Sequence, residues 1–262
     1  MPVTLVLIAV ALVYCRGWYH LRSALPHLLS VARLIMFITG VALIWTAVAS
    51  PLAGLDHQLL TAHMAQHLLI MNLAAPLILL GAPVMALLYG FPQDFIRRVL
   101  GPLQSTPAHG IGPVVTHPVF CWLASTAVVI GWHVPAFFEQ GMHSAWHDAE
   151  SATFLAAGVL FWWPVVQPWP CLKRTHWHTP LYLFMATLPC DALSAFLVFC
   201  NRVVYSHYRA MGQRFGLSPL GDQECAGGLM WVCVTFAYLI PAAVVTVELL
   251  SPETSASQVE AN

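Results

Sequence analysis

The chain has 262 residues, of which 8% are charged and 59% apolar, and its mean hydropathy is +0.73. A soluble domain carries roughly 25% charged residues, so most of this surface is suited to lipid rather than water. The formal net charge of −1 leaves no basic stripe to neutralise phosphates, which excludes a nucleic-acid partner.

A helix needs about 20 apolar residues to cross hydrocarbon. In chain order the candidates are 2–20, 31–50, 63–89, 117–134, 146–166, 180–200 and 227–248. The expected fold is therefore all-α: a polytopic membrane bundle of about seven transmembrane helices. It forms one domain over residues 1–250, followed by a polar, disordered tail at 251–262. The first apolar run, Val3 to Val13, has no basic residue ahead of it, and the first arginine is Arg16. That pattern is not a cleavable leader and reads as a helix entering with its N-terminus outside. The third candidate is long, and Pro76 and Pro83 are expected to kink it or end it early. Between the candidates lie Pro/Gly-rich connectors at 50–54, 101–113, 167–170 and 212–221.

Basic residues set the orientation. Arg16, Arg22, Arg33, Arg97, Arg98, Lys173 and Arg174 fall in alternate connectors, whereas Arg202, Arg209 and Arg214 fall on the opposite side. The balance of seven to three places the N-terminus outside and the C-terminus in the cytoplasm. The seven cysteines are scattered with no CxxC pair, so no disulfide framework is expected.

The 13 histidines are too many for membrane helices, which avoid ionisable side chains. With this orientation, His57, His63, His67, His133, His143, His147 and His207 collect at the outer face. His63 and His67 are four apart at the start of the third candidate, and His143 and His147 are four apart at the start of the fifth. Residues at i and i+4 share a helix face, so each helix aims two imidazoles at one point. His133 lies at the outer end of the fourth candidate, between them in sequence. Imidazole suits Cu, Zn, Fe and Ni, and thioether from Met64 or Met142 softens a site toward Cu(I). Asp148 and Glu150 are placed to accept the second ring N–H of a ligating histidine. The remaining histidines, including His57, read as solvated or hydrogen-bonded interfacial residues.

Cys190 and Asp191 sit mid-helix in the sixth candidate beside Pro189. A carboxylate there is paired or functional, either as a relay or as a neutral acid bonded to a neighbouring helix. Asp222 precedes the seventh candidate, where an acid suits a helix start and draws cations toward the histidines.

Several segments together resemble a known family. They are His63-Met64-Ala65-Gln66-His67, Ala75-Pro76-Leu77, Gly81-Ala82-Pro83, Trp132-His133-Val134-Pro135, Phe161-Trp162-Trp163-Pro164, Val204-Tyr205-Ser206-His207-Tyr208 and Asp222-Gln223-Glu224-Cys225-Ala226-Gly227-Gly228-Leu229-Met230-Trp231. Over roughly residues 30–248 the chain looks like the multi-span cytochrome c oxidase assembly proteins called CtaG, tied to caa-type oxidases. It does not look like the single-span copper chaperone of the same name. The resemblance implies a multi-pass protein of the bacterial cytoplasmic (inner) membrane that helps build a terminal oxidase without being an enzyme. The positions it carries over as functional are His63, His67, His133, His143, His147 and Asp222; Cys190 and Asp191 lie outside its pattern.

The expectation is thus a Cu(I)-favouring copper site at His63, His67, His133, His143 and His147, with Met64, Met142, His207 and Asp222 as accessories. Its partners are oxidase subunits or a copper chaperone. Three rivals remain open: a haem-binding membrane cytochrome, a transporter centred on Asp191, and a metal-free scaffold.

Overall fold

The computed structural model describes residues 2–23, 29–92, 94, 98, 112–142, 144–167, 177–210 and 215–251. Regular structure among them is helical, in the order α1 (Pro2–Leu21), α2 (Val31–Val48), α3 (Leu60–Leu80), α4 (Pro83–Gly90), α5 (Pro118–His133), α6 (Pro135–Gly141), α7 (Ser144–Val166), α8 (Thr179–Phe199), α9 (Ser206–Ala210) and α10 (Pro219–Leu250). Among the described residues six helices are long and apolar enough to cross a membrane: α1, α2, α3, α7, α8 and α10. The fourth stretch expected to span is a shorter apolar helix of 16 residues, α5. The 101–110 connector and the tail beyond residue 251 lie outside the described residues.

The third stretch, a long candidate over 63–89 expected to kink or end early at Pro76 or Pro83, breaks ahead of Pro83. The helix starts earlier and stops at Leu80; Ala82 then takes a left-handed backbone (φ 49°) and Pro83 opens α4. Pro76 ends nothing, because the turn before it widens. Residues Leu69–Ala74 form a π stretch in which the Ala75 N–H reaches back five residues to Ile70 O. A proline offers no N–H and crowds the carbonyl four residues back, and a π turn is one way for a helix to absorb this. The widened turn leaves Met71 O free to accept the indole N–H of Trp162 at 3.1 Å. The last helix is also longer than expected, beginning at Pro219 with Ser218 accepting from Gly221 N–H as its cap.

Two apolar cores organise the bundle. A smaller one joins α1, α2 and α4 around Tyr14, Trp18, Phe37 and Ala86. Gly17 and Gly90 allow this approach: a Cβ on Gly17 would stand 1.7 Å from Ala86 O, and one on Gly90 would stand 2.0 Å from Val13 O. The larger core fills the space between α3, α5, α7, α8 and α10, with Met71, Phe154, Phe161, Leu183, Leu197 and Met230 at its centre. Where α7 crosses the π stretch, a Cβ on Gly158 would meet Ala75 Cβ and Met71 O at 2.9 Å. That contact sets how closely the N-terminal turns of α3 and α7 stand to each other, two turns further along.

Candidate metal centre

The site is built at one end of the bundle, where α3, α7 and α10 start and α5 ends. The first turn of α3 begins it. Helix N-termini leave backbone N–H groups without intrahelical partners, and here Leu59 provides no side-chain cap. The cap comes from another helix: Asp222, in the first turn of α10, accepts from Leu60 N–H at 2.6 Å and from Thr61 N–H at 3.0 Å. Thr61 Oγ1 donates to the same carboxylate at 2.6 Å. Next to it the fully buried Gln223 accepts from Val204 N–H and donates to Leu197 O and Arg202 O, tying the α8–α9 connector to α10. Gln66 donates to Ala47 O and fixes α3 against α2. Asp222 and Gln66 thus hold the helix that bears His63 and His67.

His63 and His67, one turn apart and both buried, bring their Nε2 atoms to 2.8 Å of each other. Glu150 on α7, equally buried, reaches into the same space: its Oε1 lies 3.5 Å from His63 Nε2 and 3.2 Å from His67 Nε2. Donor atoms about 2 Å from a tetrahedral ion stand roughly 3.3 Å apart, so this triangle has the edges that an ion needs. Glu150 Oε2 has no hydrogen-bond partner among the described residues. His133, also buried, lies within electrostatic reach of His63, His67 and Glu150. Its Nδ1 is 2.6 Å from Val129 O. A ring N–H donated to a backbone carbonyl fixes the tautomer of a metal-binding histidine, and it leaves His133 Nε2 bare, with no partner among the described residues. The donors and the orphaned buried atoms fit a first-row transition metal.

His147, three residues before Glu150, stands at the edge of this group and belongs to two constellations. His63, His147 and Glu150 place ligand atoms within 4.8 Å of one another, and so do Asp56, His57 and His147. His147 Nε2 lies 2.8 Å from Asp56 Oδ2, off the line of its ring N–H, and His57 Nε2 lies 3.8 Å from Asp56 Oδ1. Asp56 is buried although it follows the short 3-10 turn Pro51–Leu55 outside the spans. Burial would raise its carboxyl pKa, but His147 and His57 beside it more than offset that and hold it below the usual value. The buried Tyr208 hydroxyl donates to Asp56 O at 2.5 Å; burial, reinforced by nearby carboxylates, pushes its pKa above the usual range, so it stays a donor.

Of the five histidines expected as ligands, the structure brings His63, His67 and His147 together around Glu150 and buries His133 at the end of α5. His143 lies outside the described residues. Met64 is buried in the larger core and Met142 packs against it, as apolar fillers do. His207 Nε2 is spent on His57 O at 3.0 Å. Asp222 acts on the site through α3, since its carboxylate is taken up by the start of that helix. Cys190 is buried beside Met71, Pro189 and Tyr238, lining a small cavity in the larger core. Asp191 is half-buried, with Oδ1 lacking a hydrogen-bond partner among the described residues. From sequence, Glu150 reads as a supporting acceptor and His57 as a solvated interfacial residue, and Asp56 is not among the candidate ligands. The signals were the i, i+3 spacing of His147 and Glu150, and the adjacent acid and imidazole just ahead of α3.

Comparison with known proteins agrees with this reading of the motifs. The chain is 24% identical over 230 residues to the uncharacterized proteins Mb0105 of Mycobacterium bovis and MT0111 of Mycobacterium tuberculosis. It is 23% identical over 246 residues to the uncharacterized protein ML1998 of Mycobacterium leprae. These alignments cover 86% to 91% of this chain and 35% to 36% of the relatives, so the chain spans about a third of the length of the curated relatives it matches. No solved structure matches it. The family described as cytochrome c oxidase caa3 assembly factor (Caa3_CtaG) matches residues 12–251, a stretch that includes every helix contributing to the centre, and the chain belongs to that family.

Proposed function

We propose that this chain serves cytochrome c oxidase assembly by holding a transition-metal ion, copper first, at His63, His67, His133 and Glu150 and releasing it to an oxidase subunit or a copper chaperone. The observation that carries the reading is the buried triangle of His63 Nε2, His67 Nε2 and Glu150 Oε1, with edges of 2.8, 3.2 and 3.5 Å. A carboxylate among imidazoles is a harder donor set than imidazole with thioether, which favours a divalent ion over Cu(I). The family's role is assembly, which implies no catalysis by this chain.

The same geometry disfavours the haem alternative. The two ring nitrogens touch at 2.8 Å on one helix and Glu150 closes the third side, leaving no gap for a porphyrin plane between axial ligands. The chain then crosses the membrane seven times, with its N-terminus outside. The 16 residues of α5 cover about 24 Å of a roughly 30 Å hydrocarbon layer, and the basic residues favour that orientation, which puts the centre at the outer face of a bacterial cytoplasmic membrane.

The test is metal analysis of purified protein after copper loading. Wild type is expected to hold copper tightly, with His63→Ala/His67→Ala losing the tightly held, buried ion and Glu150→Gln retaining it weakly. Copper content in the double variant equal to wild type would sink the reading and favour a metal-free scaffold.

A further inference from the structure

The residues Asp56, His57 and His147 form a second constellation that the inner site does not require. His57 comes from the connector ahead of α3, Asp56 from the end of the short helical turn before it, and His147 from the first turn of α7. The side chain of His57 is 46% exposed, that of His147 is 13% exposed and that of His63 is 1% exposed. The three rings follow one another inward: His57 to His147 is 5.4 Å between centroids, and His147 to His63 is 6.1 Å. Among the described residues the buried Asp56 carboxylate accepts from the His57 backbone N–H at 2.6 Å and otherwise faces the His57 and His147 imidazoles, and a divalent cation satisfies a buried carboxylate better than two neutral rings do.

From this we infer that Asp56, His57 and His147 are a loading site for a divalent first-row ion, through which metal reaches the inner centre. The inference rests on the metal reading of that centre. Two imidazoles and one carboxylate on a partly open surface leave coordination positions for water or for a donor protein's ligand. His147 is common to both groups, so the ion passes inward by ligand exchange: the bonds to His57 and Asp56 break as bonds to His63 and Glu150 form, and the bond to His147 breaks last as His67 and His133 complete the inner set, which frees His147 for the next ion. Each station supplies one carboxylate, so the ion meets the same ligand charge before and after, and no electron changes hands.

The order Cu(II) > Zn(II) in affinity for nitrogen and oxygen donors makes Cu(II) the probe. Full-length protein in detergent is titrated with Cu(II) and read by electron paramagnetic resonance and by stopped-flow loading. Three proteins are compared: wild type, His57→Ala, and His63→Ala/His67→Ala. The His57 side chain is the most exposed of the set, and the bond His57 makes to His207 is through its backbone carbonyl, so His57→Ala keeps the fold. Two ions are expected in wild type and one in His57→Ala, with inner affinity retained and loading at least tenfold slower. One weaker, outer ion is expected in His63→Ala/His67→Ala. If wild type takes a single ion and His57→Ala loads at the wild-type rate, the inference is overturned: Asp56 then only orients His147, and the inner site stands. If His63→Ala/His67→Ala loses nothing while His57→Ala loses an ion, the outer site stands and the function proposed above fails.

Discussion

Replacing Asp222 by alanine separates a positioning role from a ligating one. The carboxylate satisfies Leu60 N–H, Thr61 N–H and the Thr61 hydroxyl, and Asp222 itself is only 4% exposed. Loss of a helix cap costs about 1 kcal/mol. The Leu60 N–H, the buried one of the two, adds roughly 1–3 kcal/mol when left without a partner, so Asp222→Ala is expected to destabilise the protein by about 2–4 kcal/mol. Asp222→Asn keeps one carbonyl oxygen and is expected to recover about half of that. Thermal unfolding in detergent followed by tryptophan fluorescence gives the stability, and copper content at saturation gives the site. Both quantities are expected to fall together in the alanine variant, because α3 frays at the turn that carries His63. Wild-type stability in Asp222→Ala would refute the capping argument. Full stability with lost copper in Asp222→Asn would make Asp222 a ligand instead.

Two further outcomes follow from the same geometry. Gly158→Val drives a branched side chain into Ala75 Cβ and Met71 O, where even a Cβ stands at 2.9 Å; overpacking of this kind costs about 1–3 kcal/mol. By spreading α3 from α7 it is expected to weaken copper binding at least tenfold in a chelator competition, and unchanged affinity would show that the crossing does not set the Glu150 position. Asp56 has a depressed carboxyl pKa in the folded protein. Its stabilising contribution is therefore present above its unfolded pKa of about 3.9 and is lost as pH falls through the lower folded value. Asp56→Asn is expected to flatten the pH dependence of unfolding below about pH 4; a profile identical to wild type in that range would contradict the pairing with His147 and His57.

The part of the site legible in the sequence is the part fixed by helical period. His63 and His67 share a face of α3 because they are four apart, and His133 could be placed because it ends an apolar run. The parts not legible depend on contacts between distant segments. Asp222 lies 162 residues from the backbone N–H it accepts at Leu60, and no local pattern pairs those positions. Glu150 reads as a helix-start acid until α7 is set beside α3, when it becomes the third corner of the triangle. His57 looked like a solvated interfacial residue because its neighbour His147 arrives from α7 only in the fold. In the fold itself, Pro83 follows the end of the third helix and opens the next, whereas Pro76 was absorbed by a widened turn whose released carbonyl, Met71 O, accepts the Trp162 indole N–H.

The widened turn at Leu69–Ala74 has a mechanical consequence. One residue in excess of the α-helical repeat turns everything downstream by about 100° relative to everything upstream. The stretch that carries the two imidazoles and the stretch that packs on Gly158 can thus be aimed separately, although both belong to one membrane-crossing rod. Deleting a single residue between 69 and 74 would straighten the rod and couple the two aims again, swinging the imidazoles off Glu150 without altering any donor atom.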